Sequence, residues 1–139
     1  MHITIVSPVY MAEGIVDELI KRVIDSLSKI TNDFEIILVD DGSSDNSWIK
    51  IQENCKKDKR IKGIKLSRNF GQHYALTAGL EKSLGDYVVV MDCDLQVNPE
   101  YILEMHKEAL KGNDIVYTSV SKRSHSFKKY LFKNVWCNL

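Results

Sequence analysis

Two short runs, "EIILVDD" at residues 35–41 and "DYVVVMD" at residues 86–92, limit the fold of this chain more than any other feature. Each is almost continuously apolar, and each ends in a carboxylate. A strand with one face in water alternates apolar and polar residues, so an unbroken run reads as a strand covered on both faces, as in a parallel sheet under helices. Parallel strands need crossover connections, and the sequence supplies amphipathic segments between the runs. Ile15, Val16, Leu19, Ile20, Val23, Ile24 and Leu27 recur at helical spacing with charge on the opposite face. A second helix is expected to start at Ser44 or Asp45 as N-cap and to bury Trp48, Ile51 and Cys55. The third, over 72–84, would stack Leu76, Leu80 and Leu84 and stop at Gly85. A fourth opens on Asn98 as N-cap with Pro99 in its first turn, buries Ile102, Met105 and Ala109, and ends at Gly112. With further strands in "HITIVSPVY", "IKGIKLS" and "DIVYTSV", the alternation predicts an α/β fold, an open and mostly parallel sheet flanked by helices.

The 139 residues are one domain's worth of chain, enough to bury a core without disulfides. Nineteen Lys and Arg balance nineteen Asp and Glu, so no whole-molecule field recruits nucleic acid, and any charged ligand must be held locally. Cys55, Cys93 and Cys137 show neither disulfide nor zinc spacing and read as reduced thiols. With no basic and apolar leader and no apolar run near ~20 residues, the expectation is a soluble, cytoplasmic chain. The last stretch, "SKRSHSFKKYLFKNVWCNL", is basic and aromatic, with no helix cap or closing strand in view.

In an open parallel sheet, ligands gather beyond the carboxyl ends of the strands. Three such ends carry more polar residues than a turn requires. In "MDCDLQ", Asp92 and Asp94 leave a buried strand two residues apart and can share one hard divalent cation, Mg2+ or Mn2+, with Gln96 as a third oxygen donor. In "VDDGSSD", Asp40 and Asp41 stand where an acidic residue accepts hydrogen bonds from a ribose or a base edge. "SPVYMAE" places Pro8, Tyr10 and Glu13 at a rigid corner fit for the flat face of a base. Each also has a plain reading as strand-end, turn or core chemistry. "SRNFGQHYALTAG" puts Arg68 and Asn69 before Gly71 at a helix entrance suited to a sugar or phosphate, and His73 is given no role.

In combination and order, "SPVY" with Glu13, "VDDGSSD", "LSRNFGQHYALTAGL" and "GDYVVVMDCDLQVNPE" resemble the family 2 inverting glycosyltransferases, and more narrowly their polyprenyl-phosphate branch. The resemblance covers essentially the whole chain. It implies a GT-A fold, a Rossmann-like sheet in which residues 1–120 form the nucleotide-sugar (donor) domain and 121–139 begin an acceptor segment whose remainder is absent. It places Pro8, Tyr10, Glu13, Asp40 and Asp41 around the nucleoside. Asp92 and Asp94 become the catalytic pair and, with Gln96, hold the metal and donor diphosphate. Lys122, Arg123 and Lys128 fall where the family holds the phosphate of a lipid acceptor. Met11 and Ala12 replace an Asn and an acidic residue of the family pattern, Cys93 replaces an alanine, and Val97-Asn98 replaces Asp-Pro.

The implied activity is transfer of a sugar, with inversion and a divalent metal, from a nucleotide diphosphate sugar, UDP before GDP, to a polyprenyl phosphate. The parent enzyme would sit at the cytoplasmic face of a membrane and serve cell-envelope polysaccharide. The alternative is a truncated nucleotide-binding module without transfer. Haloacid-dehalogenase-like and receiver readings of the DCD motif fail, since both families place their acidic motif after the first strand. The apolar "YLFKNVW" segment adds an expectation of self-association.

Overall fold

The computed structural model describes residues 1–118 and 129–133, the latter by backbone only. Strands β1 (Ile3–Val9), β2 (Phe34–Asp40), β3 (Ile61–Lys65) and β4 (Tyr87–Val90) form a parallel sheet. Its order is β3-β2-β1-β4, extended by β6 (Lys129–Lys133) and β5 (Ile115–Thr118). β6 runs antiparallel to both β4 and β5. Every residue of β1 and β2 is buried, as their unbroken apolar character requires. In register, Ile3 to Val9 pair with Phe34 to Asp40, so the two strands deliver Val9 and Asp40 to the same edge together.

Helices α1 (Val16–Leu27), α2 (Ser47–Lys57), α3 (Gln72–Leu80) and α4 (Ile102–Ala109) make the crossovers, α4 being preceded by a 3-10 turn at Pro99–Tyr101. Alternation along the strands sorts the core into two layers. Ile3, Ile5, Ile36 and Leu38 pack with Val16, Leu19, Val23, Ile51 and Ile102 on one face. Val6, Ile37, Val39 and Val88 meet Ala75 of α3 on the other.

Several expectations change. The third helix stops at Leu80, a turn early, and Leu84 is 72% exposed. The chain leaves the helix there because the Leu84 N–H donates to Glu35 at 2.8 Å and the Gly85 N–H to the Thr4 hydroxyl at 2.9 Å. The first satisfies the buried Glu35 carboxylate near the amino end of β2 and the second the Thr4 hydroxyl that donates to it, which outweighs one more turn of leucine. Burial alone would raise the Glu35 carboxyl; hydrogen bonds from Lys62, Thr4 and the Leu84 amide outweigh it, and its pKa lies below the ordinary value. Second, neither Ser44 nor Asp45 is the N-cap of α2, which follows Asn46, although Asp45 accepts the Ser47 N–H at 3.0 Å. Trp48 and Cys55 are half-buried and only Ile51 of the expected trio is fully so. Third, Asn98 caps nothing with its side chain, and β6 is a strand where none was expected.

The fully buried contact of α3 is made by two small residues, Ala75 and Gly79. A Cβ on Gly79 would lie 2.4 Å from Val6 Cγ1 and 3.1 Å from Val39 Cγ2, both on stiff β-branched side chains of central strands. Gly79→Ala should therefore lower the urea midpoint without changing the slope. The gain of about 1 kcal/mol in helix propensity is outweighed by overpacking of about 1–3 kcal/mol. A midpoint equal to or above that of the unmodified protein would show that α3 can move off the sheet.

Candidate functional site

At the carboxyl edge of β1, β2 and β4 lies a cleft of about 330 Å3 lined by Pro8, Val9, Tyr10, Asp41, Asn69, Gly71, Gln72, Asp92, Cys93 and Asp94. Three separate strand ends thus meet at one place, and a volume of this order suits a small polar ligand. Tyr10 stands at the mouth, 52% exposed, with its ring offered to solvent. A larger cavity of about 520 Å3 lies beside it against α4 and β5, lined among others by Gln96, Asn98, Glu104 and Tyr117. Gln96 therefore lines the neighbouring cavity, and it meets the acidic pair through its backbone, whose N–H donates to Asp94 Oδ1 at 3.0 Å.

The two loops that carry the nucleoside candidates are sewn to each other. Met11, in the left-handed region at φ 50°, donates its N–H to Ser43 at 3.0 Å. The Ala12 N–H donates to Ser47 at 2.8 Å and the Glu13 N–H to Asp45 at 3.1 Å. Glu13 answers with its carboxylate, which accepts the Asn46 N–H at 2.8 Å at the entrance to α2. Its carboxylate is thus committed to the loop, and Tyr10 and Pro8 are the residues this bracing presents to the cleft.

Asp40, the last residue of β2, and Asp41, just beyond it, do different things. Asp41 accepts two backbone bonds, from Phe70 N–H at 2.8 Å and Gly71 N–H at 2.9 Å, and so ties the end of β2 to the entrance of α3. Gly42, at φ 71°, is needed for that closeness: a Cβ there would lie 2.4 Å from the Arg68 carbonyl carbon. Asp40 is fully buried, shares its strand face with Ile36 and Leu38, and neither of its carboxylate oxygens has a hydrogen-bond partner among the described residues. A buried carboxylate left bare is costly, and it marks a place where a donor is wanted.

Asp92 and Asp94 both line the cleft, and Asp92 Oδ1 accepts a 2.6 Å bond from Gln72 Nε2. Gln72 went unnoticed in the sequence; its position directly after Gly71 at a helix start was the available signal. Burial pushes the Cys93 thiol up, a hydrogen bond from the Tyr10 backbone offsets part of that, and Asp94 and Asp92 add smaller upward pushes, which favours the protonated thiol. No three His, Cys, Asp or Glu side chains converge on a point among the described residues. Two carboxylates on one short turn nonetheless fit Mg2+ or Mn2+, which take oxygen ligands and leave several positions to phosphate and water.

Arg68 lays its guanidinium over the Phe70 ring, 4.7 Å from the centroid, while Asn69 lines the cleft. His73 is exposed, away from the lining. Lys122, Arg123 and Lys128 lie outside the described residues, as does Cys137. No helix among the described residues is long and apolar enough to cross a membrane.

The sequence and the fold are similar to those of known proteins. The Glycosyl transferase family 2 model matches residues 4–136. The undecaprenyl-phosphate 4-deoxy-4-formamido-L-arabinose transferase of Proteus mirabilis (strain HI4320) is 39% identical over 135 residues, 96% of this chain and 41% of that protein. The uncharacterized glycosyltransferase YkcC of Bacillus subtilis (strain 168) is 39% identical over 128 residues, 91% of this chain and 40% of its own. The chain thus spans about two fifths of the length of these curated relatives. Among solved structures, the mannosyltransferase PcManGT from Pyrobaculum calidifontis, in complex with GDP-Man and Mn2+, superposes with a TM-score of 0.73 at 17% identity, covering 94% of this chain and 44% of that one. S. aureus TarS 1-349 in complex with UDP-GlcNAc gives 0.65 at 24%, covering 90% and 37%. The expected GT-A fold is borne out.

Removing the Asp41 carboxylate should free the segment before α3. In Asp41→Ala, hydrogen exchange at the Phe70 and Gly71 amides should speed up by roughly 10- to 100-fold, the weight of a bond to a charged acceptor. Unchanged exchange would mean that Asp41 does not hold that segment.

Proposed function

Since the chain belongs to glycosyl transferase family 2, as the match over residues 4–136 shows, we propose that it forms the donor-binding part of an inverting transferase. That enzyme moves a sugar from a nucleotide diphosphate sugar to a polyprenyl phosphate. The observation that carries this reading is the meeting of Asp92 and Asp94 with Pro8, Tyr10 and Asp41 in one cleft at the carboxyl edge of a parallel sheet. Pro8 and Tyr10 offer the base a rigid wall, and the bare carboxylate of Asp40, beside Asp41, supports an acceptor role towards the nucleoside. Glu13 serves the same end by holding the Tyr10 loop.

Asp92 and Asp94, with Gln96 from the adjoining turn, would hold Mg2+ or Mn2+ together with the donor diphosphate. When bound, such an ion stabilises the negative charge that builds on the leaving diphosphate. Gln72 fixes the orientation of Asp92. The acceptor phosphate oxygen attacks the anomeric carbon in line with the departing diphosphate, the bond from that carbon to the β-phosphate oxygen breaks, and the nucleoside diphosphate leaves. A phosphate acceptor is already ionised near neutral pH, so the chain needs no general base for it. We take UDP as the donor nucleotide. Residues 121–139 open the acceptor segment, where Lys122, Arg123 and Lys128 would meet the lipid phosphate at the cytoplasmic face of a membrane.

A second reading is a module that binds the nucleotide without transferring sugar. Calorimetric titration of UDP and GDP, with Mn2+ and with EDTA, tests what the two readings share. Mn2+-dependent binding that Asp94→Asn abolishes is expected, and folded protein that binds neither nucleotide would contradict it. Release of nucleoside diphosphate from the bound donor only when polyprenyl phosphate is added would then favour the transferase over the module.

A further inference from the structure

The turn that carries Asp92 and Asp94 is held at both ends. Beyond β4, the Met91 N–H donates to the Val6 carbonyl of β1 at 3.0 Å, which fixes the start. Between there and the 3-10 turn the chain passes through Leu95 at φ 58°, a left-handed conformation that a leucine adopts only under constraint. Such a conformation persists where its surroundings over-determine it.

The far end is held by Arg22, on α1. Its Nε donates to Glu100 Oε1 at 3.1 Å, its Nη2 to Glu100 Oε2 at 2.7 Å, and Nη2 also reaches Asn98 Oδ1 at 3.2 Å. Asn98 thus gives Arg22 the oxygen that a helix cap would have used. Pro99, between the two acceptors, is buried, and on α1 itself Leu19 and Val23, to either side of Arg22 in sequence, root the helix in the core. A guanidinium bound bidentately fixes both the position and the orientation of its partner, which an ammonium cannot do. Arg22 and Glu100 are 26% and 48% exposed, a setting in which an ion pair contributes little to global stability, so the clamp acts on local geometry.

We propose that Arg22 is a positioning residue for the Asp92–Asp94 turn: from outside the cleft it fixes the exit of the loop, and so holds the two carboxylates in the arrangement that binds a divalent ion with a diphosphate. This rests on the donor-site reading of the cleft. Arg22 is absent from the cleft lining and acts only through Asn98 and Glu100.

The test compares unmodified protein with R22Q, R22K and the reversed pair R22E/E100R, each checked for folding by circular dichroism and melting. UDP, or GDP if that is the nucleotide the unmodified protein binds, is titrated in Mn2+ and in EDTA. The affinity gained from Mn2+ should fall by about tenfold in R22Q and R22K, the low end of the loss seen when a direct partner of a metal ligand is removed, since Arg22 acts one contact further out. Affinity in EDTA should stay unchanged, and the reversed pair should recover part of the gain. A pair that only stabilises the fold would lower the melting temperature and leave the ratio of the two affinities intact, which overturns the proposal. If the gain is present in the unmodified protein and survives in R22Q, this inference alone fails. If the unmodified protein shows no gain, the donor reading fails and the inference falls with it.

Discussion

The backbone of β1 depends on neighbours on both sides. β2 pairs with it in parallel from Ile3 to Val9 and β4 from Ile3 to Val6, and its side chains are buried on both faces. That arrangement leaves polar chemistry one favourable exit, the carboxyl edge, where the strands end together and the crossover loops begin. Pro8 and Tyr10, Asp40 and Asp41, and Asp92 and Asp94 all sit at that edge. Their meeting follows from parallel register: Val9 pairs with Asp40 and Val6 with Val90, which brings three separate segments of sequence to one place.

Carboxylates that look alike in sequence serve different ends once the fold assembles them. Asp41 and Glu13 hold backbone amides and thereby shape the loops. Glu35, near the amino end of β2, meets Thr4, Lys62 and the Leu84 amide and sets where α3 must end. Asp92 is gripped by Gln72 at the cleft, and Asp40 is buried with bare oxygens. The chain satisfies its other buried acids and leaves the oxygens of Asp40 bare at the carboxyl end of β2.

The sheet was legible because burial on both faces writes itself into composition: "EIILVDD" and "DYVVVMD" can hardly be anything else. Helices α1 and α4 were legible by periodicity, down to the buried Ile102, Met105 and Ala109. The end of α3 was not, because the bond from Leu84 to Glu35 joins residues far apart in sequence, and leucine spacing alone extends the helix past it. β6 was missed because a short basic and aromatic run has no strand signature apart from the partners it finds in β4 and β5. Within the site, strand-end carboxylates announced themselves, whereas the braces did not. Nothing in a single sequence says that Arg22 reaches Glu100 or that Glu13 turns to Asn46.

The central claim is that the cleft between β1, β2 and β4 is the site of a divalent ion and a nucleoside diphosphate. Paramagnetic broadening of backbone amides by substoichiometric Mn2+ in the presence of UDP locates that ion directly. The account predicts selective loss of signal from Asp92 to Gln96 and from the facing residues Tyr10, Gly71 and Gln72, with little effect on Glu35 and Lys62 near the amino ends of β2 and β3. Broadening that is uniform, or centred away from Asp92 and Asp94, would contradict it.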